Sequence, residues 1–213
     1  MQIPDSILLG GITTDITFEQ GFYHKHKQLS LGYPDAGQLQ IADEAPPALQ
    51  KEQAFVQIYT NICSIIMGDE QDNPSEIWVT GKQLLAVLRD NPALVDITTS
   101  IFDIDSIRYL SKNISIQQRP AVMRNMAVLE FNMLTIDVTE NTKLDFQWLA
   151  LYHEILHLIR CHLAFDLDDE EEEEQIVDGI AFLLVALFSQ NDMAWILEDV
   201  EEVTPDYHPS SLS

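Results

Sequence analysis

His153-Glu154-Ile155-Leu156-His157 carries two imidazoles four residues apart, with a carboxylate directly after the first. On an α-helix, residues four apart fall about 40° from one another on one face, one turn apart. Two imidazoles so placed can grip a single zinc ion, and a neighbouring carboxylate can act as a base toward water. A closed or catalytic zinc site needs at least a third protein ligand. His162 is nine residues beyond His153 and faces elsewhere on a helix, and Leu163 occupies the tenth position. Another carboxylate source is Glu174-Gln175-Ile176-Val177-Asp178, which begins 17 residues after His157. Glu174 and Asp178 share a helical face, so Glu174 can ligate while Asp178 accepts a hydrogen bond from a ligating imidazole and fixes its tautomer. Glu173 is the alternative ligand, because boundaries inside the acidic run Glu170 to Glu174 are not sharp, and such a run also favours a helix N-terminus through the helix dipole. Glu154 is the expected general base, taking a proton from water and passing it to a leaving amine.

These side chains need elements to hold them. Asn141-Thr142 is expected to cap a helix over about 143–165 that carries both histidines, with Phe146, Trp148 and Leu149 packing it onto a sheet. A second helix is expected over about 171–188, and a short one after Asn191-Asp192 that ends near Val200. Upstream, 114–117, 128–131 and 133–138 read as strands. The first half runs through the same order. Residues 7–18 read as strand with Gly10-Gly11 as a bend or hairpin tip, then 28–32 and 38–42 as strands. Pro46-Pro47 opens a helix over 48–67, and a second helix covers 76–89.

The halves also align residue by residue. Ala54 to Asn61 lies against Ala150 to His157 at an offset of 96, and Glu76 to Gly81 against Glu174 to Gly179 at an offset of 98. In the strands, Ser30 to Tyr33 is set against Val128 to Phe131, and Leu39 to Ile41 against Leu134 to Ile136. The expected fold is therefore α+β: two tandem small modules, each a short twisted sheet of about three strands on two to three helices. Residues 1–95 form the first, 96–200 the second, and 201–213 a flexible tail. The first half has Gln57 and Asn61 where the second has His153 and His157, and keeps only Glu76 at the third position, so it reads as a copy without metal.

The pattern His153-Glu154-x-x-His157 followed by Glu174-x-x-Val177-Asp178 resembles the gluzincin metallopeptidases. It is most similar to the small phage and mobile-element enzymes called minigluzincins and, more distantly, to the repressor-cleaving ImmA/IrrE-type enzymes. Ile3 to Ile7 with Gly10 to Thr13, and Leu31-Gly32-Tyr33, resemble the start of a minigluzincin. The resemblance implies a zinc-dependent endopeptidase with His153, His157 and Glu174 as ligands and Glu154 as base, acting on a protein or peptide; the choice of Glu174 as third ligand rests on it. It also implies that a C-terminal segment can hold the enzyme inactive, for which 201–213 is long enough. Val177 departs from the usual alanine. Tyr152, His162, Tyr207 and His208 are unranked candidates for stabilising the transition state.

Composition sets the limits around this reading. The 213 residues hold 11 Lys+Arg against 35 Asp+Glu, a net charge of −24. Residues 1–100 contribute −8 and residues 101–213 contribute −16. Such a chain is repelled by phosphate backbones and anionic lipid, which excludes nucleic-acid binding through a basic surface. The same charge suits an alternative function, a non-catalytic acidic binding or inhibitor protein on a metallopeptidase scaffold. No window is long and apolar enough for a membrane span, and no secretory signal is visible at the N-terminus. Two cysteines, Cys63 and Cys161, make no disulfide framework, so a cytoplasmic setting is expected, with both thiols in the core.

Overall fold

The computed structural model describes residues 2–68, 74–120, 127–130, 133–139, 142–163 and 170–197, with side chains described for all of these but 161–163 and 170. The chain begins with strands β1 (Ser6–Leu9) and β2 (Ile12–Glu19), a short helix α1 (Phe22–His26), and strands β3 (Ser30–Tyr33) and β4 (Gln38–Ala42). Helices α2 (Pro47–Met67) and α3 (Pro74–Asp90) follow. Then come β5 (Ser106–Tyr109), β6 (Lys112–Arg119), β7 (Ala127–Glu130) and β8 (Thr135–Thr139), and helices α4 (Leu144–Leu163) and α5 (Glu170–Gln190). The fold is α+β, with two four-stranded mixed sheets and five helices among the described residues.

The sheets share one plan. Their orders are β1-β2-β4-β3 and β5-β6-β8-β7, with a parallel central pair and antiparallel pairs on either side. Each has four strands rather than the expected three, because the first strand of each is half of a tight hairpin. Gly10-Gly11 marks that turn in the first half, both glycines at positive φ, the region where glycine carries no Cβ penalty. In the second half the same turn has Leu110 at φ 54, so it lacks the glycine signal and β5 was not expected. The register also moves the strand alignment. Ser30 pairs with Ile41 and Ala127 with Val138, so Ser30 corresponds to Ala127, not Val128, and Leu39 to Ile136, not Leu134. A slip of one residue would exchange the two faces of the strand.

Pro46-Pro47 starts α2 as expected, since proline at the first helical position gives up an N–H that has no helical partner, and Gly68 at φ 65 ends it. The apolar faces of the helices and the inner faces of both sheets merge into one buried cluster that runs through both halves, from Ile7 and Leu39 to Leu187 and Trp195. Trp148 is fully buried within it, whereas Phe146, expected to pack, is exposed. The expected helix after Asn191 is a single 3-10 turn, Ala194–Ile196. The tail 201–213, and Val200 as the end of that helix, lie outside the described residues.

The second helix of each half reaches the first strand of the other: α5 packs on β1 and α3 on β5. At its end each helix carries an asparagine that hydrogen-bonds the edge strand's backbone. The Leu8 N–H donates to Asn191 Oδ1 at 2.7 Å and Asn191 Nδ2 donates to the Leu8 carbonyl at 2.9 Å. The Arg108 N–H donates to Asn91 Oδ1 at 2.6 Å and Asn91 Nδ2 donates to the Arg108 carbonyl at 2.7 Å. A side-chain amide offers the same donor and acceptor as a peptide group, so each asparagine does for one residue of an open edge what another strand would do. No helix among the described residues is long and apolar enough to cross a membrane.

Candidate metal centre

Helix α4 presents His153 and His157 one turn apart, and the second turn of α5 brings Glu174 across from them. The two Nε2 atoms lie 2.9 Å apart. His153 Nε2 is 3.3 Å from Glu174 Oε2, and His157 Nε2 is 3.2 Å from Glu174 Oε1. Ligands bonded to zinc at about 2.0–2.1 Å in a tetrahedron are separated by about 3.3 Å. The three side chains already stand close to that spacing, and together they can hold a metal ion. Two imidazole nitrogens at this distance repel unless a proton or a cation lies between them. Burial, then the neighbouring His153, hold the His157 imidazole below its usual pKa, while Glu174 and Glu173 pull the other way. The net effect favours the neutral ring, the form that binds metal.

The outer nitrogen of His153 is also engaged: Nδ1 donates to Asp178 Oδ1 at 2.8 Å, which leaves Nε2 with its lone pair facing Glu174. Glu154 follows His153 on the helix and turns inward, with 7 % of its surface exposed. Burial pushes its carboxyl above the usual range, against the opposing pull of His153 and of a hydrogen bond from the Leu129 backbone N–H, and Glu174 adds to the rise. Leu129 belongs to β7, the edge strand of the second sheet among the described residues, so the carboxylate lies against that sheet edge.

No family model, curated protein or solved structure matches this chain.

The structure thus brings together the triad His153, His157 and Glu174, with Asp178 on the first histidine and Glu154 beside it. Glu173 is elsewhere: its Oε1 is 3.7 Å from His157 Nδ1, on the side of the ring away from the triad, and accepts a hydrogen bond from Arg160 Nη1 at 2.9 Å. Tyr152 is ruled out as a transition-state stabiliser. It is fully buried, its hydroxyl donates to the Leu94 carbonyl at 2.6 Å, and its ring stacks on Phe188 at 5.5 Å. Tyr207 and His208, and the side chains of His162 and Cys161, lie outside what is described. Sequence reasoning missed two groups. Arg160 was legible, three residues after His157 and so on its side of the helix. The Leu129 N–H was not, since a backbone donor leaves no mark in a sequence.

In the first half the matching positions hold amides. Gln57 Nε2 donates to Asn61 Oδ1 at 3.4 Å, and the Ser30 hydroxyl donates to Gln53 Oε1 at 3.3 Å and Gln57 Oε1 at 3.4 Å. Gln57 and Asn61 are buried, at 9 % and 1 % exposure. Gly32 on the edge strand β3 makes room for them: a Cβ there would fall 2.0 Å from Asn61 Oδ1. Asn61 Nδ2 has no hydrogen-bond partner among the described residues.

Proposed function

We propose that the chain is a zinc-dependent endopeptidase built from two tandem modules, the second live and the first without metal ligands. The observation that carries this reading is the triad spacing: two Nε2 atoms and one carboxylate, all within 4.8 Å of one another, beside a buried glutamate. Two imidazoles and one carboxylate form the donor set of hydrolytic zinc sites, which keep a fourth position for water or substrate. Bound there, zinc would supply a Lewis acid that activates water and polarises the scissile carbonyl.

The protein's own groups do the rest. Asp178 holds the His153 ring in one tautomer and orientation. The Glu154 carboxylate takes a proton from the attacking water and delivers it to the departing amine nitrogen, and burial, by raising its pKa, makes it a stronger base than an ordinary carboxylate. Among the described residues β7 pairs only with β8, so a substrate laid along its other edge as an added strand would pass in front of Glu154. The matching sheet plans and the amide cluster at Gln57 and Asn61 support the tandem arrangement.

The test is to purify the chain, count zinc per molecule, and compare wild type with Glu154→Gln on unfolded protein substrates. One zinc per chain, with cleavage in wild type and none in the variant, is the expected result. Zinc without cleavage in either protein would favour the acidic binding-protein reading, and absence of zinc would remove the site.

A further inference from the structure

With both Nε2 atoms turned to the triad, each ring must place its Nδ1 elsewhere. Asp178 takes that of His153. For His157 the facing carboxylate is Glu173, which is not presented to solvent as Glu174 and Asp178 are: its side chain is 19 % exposed, against 57 % and 65 %. The oxygen that faces His157 is the one gripped by Arg160, and Arg160 is itself only 14 % exposed. Arg160 projects from α4 one turn beyond His157, so a single helix carries both the ring and the cation that anchors the ring's partner. The far side of Arg160 lines a cavity of about 80 Å³ between the helices of the two halves, shared with Tyr59 and Cys63 of α2.

We infer that Glu173, anchored by Arg160, is a positioning residue for His157: its fixed carboxylate faces the Nδ1 edge of that ring and keeps Nε2 aimed at the metal. The inference rests on the metal reading of the triad and assigns Glu173 a role other than ligand. At 3.7 Å the contact is longer than a hydrogen bond, so the charge and the anchored oxygen define the role. Acceptors behind metal-bound histidines typically contribute 10–100-fold in metal affinity.

The experiment measures zinc affinity by competition with a chromophoric chelator, on the full chain, for wild type, His157→Ala, Glu173→Gln, Arg160→Gln and Arg160→Lys. Melting temperature in EDTA is recorded for each. Glu173→Gln and Arg160→Gln should each weaken zinc binding 10–100-fold while keeping one zinc per chain, and Arg160→Lys should retain most of the wild-type affinity. A double variant carrying Glu173→Gln and Arg160→Gln, measured alongside, should be no weaker than Glu173→Gln alone, because the arginine acts through the glutamate. If Glu173→Gln abolishes binding as His157→Ala does, Glu173 is a ligand and the inference fails. It also fails if affinity stays within twofold of wild type, or if affinity falls only in step with the melting temperature of the metal-free protein. If wild type binds no zinc, the metal reading itself fails, a different result from zinc binding that depends on His157 and ignores Glu173.

Discussion

The two asparagine clamps make a quantitative prediction about how the halves are held together. Asn191→Ala removes three hydrogen bonds: from the Leu8 N–H, to the Leu8 carbonyl, and to the Leu187 carbonyl at 2.8 Å within its own helix. Each such bond contributes about 0.5–1.5 kcal/mol net, so the loss is about 1.5–4.5 kcal/mol, toward the upper end if the half-buried Leu8 peptide groups find no water. Asn91→Ala removes the matching set, to Val87 and to both backbone groups of Arg108, and should cost about the same. The assay is urea unfolding in EDTA, followed by tryptophan fluorescence, with the midpoint shifting and the slope unchanged. For a chain of this size a loss of about 3 kcal/mol lowers the melting temperature by about 6–12 °C. Asn191→Asp is the control. It keeps the acceptor but turns a donor into an anion facing two carbonyl oxygens, so it should be no better than alanine. A cost below about 0.5 kcal/mol for either alanine variant, within the range of ordinary surface changes, would refute the clamp argument. So would a difference above about 2 kcal/mol between the two, since their bonds match one for one.

Further outcomes follow from other groups. In EDTA at pH 7, Glu154→Gln should raise the melting temperature even though, on the proposed function, it removes the general base. The folded carboxyl sits above its usual range, so the stability it confers is full below the ordinary glutamate pKa and is lost as pH rises through the folded value; the gain should vanish toward pH 4. Burial pushes the Cys63 thiol up to about 12, so in a Cys161→Ser background it should not react with a disulfide reagent at pH 8 until the protein is unfolded. The same shift makes stability fall between pH 9 and 12, where the unfolded thiol ionises first, as a pH-dependent denaturation series would read. Gly32→Ala should cost about 1–3 kcal/mol by thermal unfolding, because its Cβ meets the Asn61 and Gln57 amides, and should leave zinc stoichiometry unchanged.

Much of the site was legible because helical spacing is a local property. His153 and His157 had to share a face once the segment was helical, and Glu174 with Asp178 likewise, so periodicity paired these side chains, while the resemblance to the gluzincin pattern pointed to the second helix as the source of the third ligand. The choice between Glu173 and Glu174 could not be made that way. It depends on how α5 is rotated against α4, and the half-buried Arg160 holds Glu173 behind His157. Tyr152 failed as a candidate for a similar reason: its position beside the motif says nothing of Leu94, 58 residues away, which takes its hydroxyl.

What the sequence by itself determined was the α+β order, the two-fold recurrence of strands then helices, and the pairs of side chains one helical turn apart, all set by hydrophobic period and by proline and glycine punctuation. What only the tertiary structure decided was everything that joins distant segments. Strand β5 exists because it pairs with β6, although Leu110 gives its turn no sequence mark. Leu129 reaches Glu154 through the edge of a sheet, and Asn91 and Asn191 each cross to the other half. These contacts depend on relative positions in space, which follow from closing one shared core around both halves and not from any short stretch of residues.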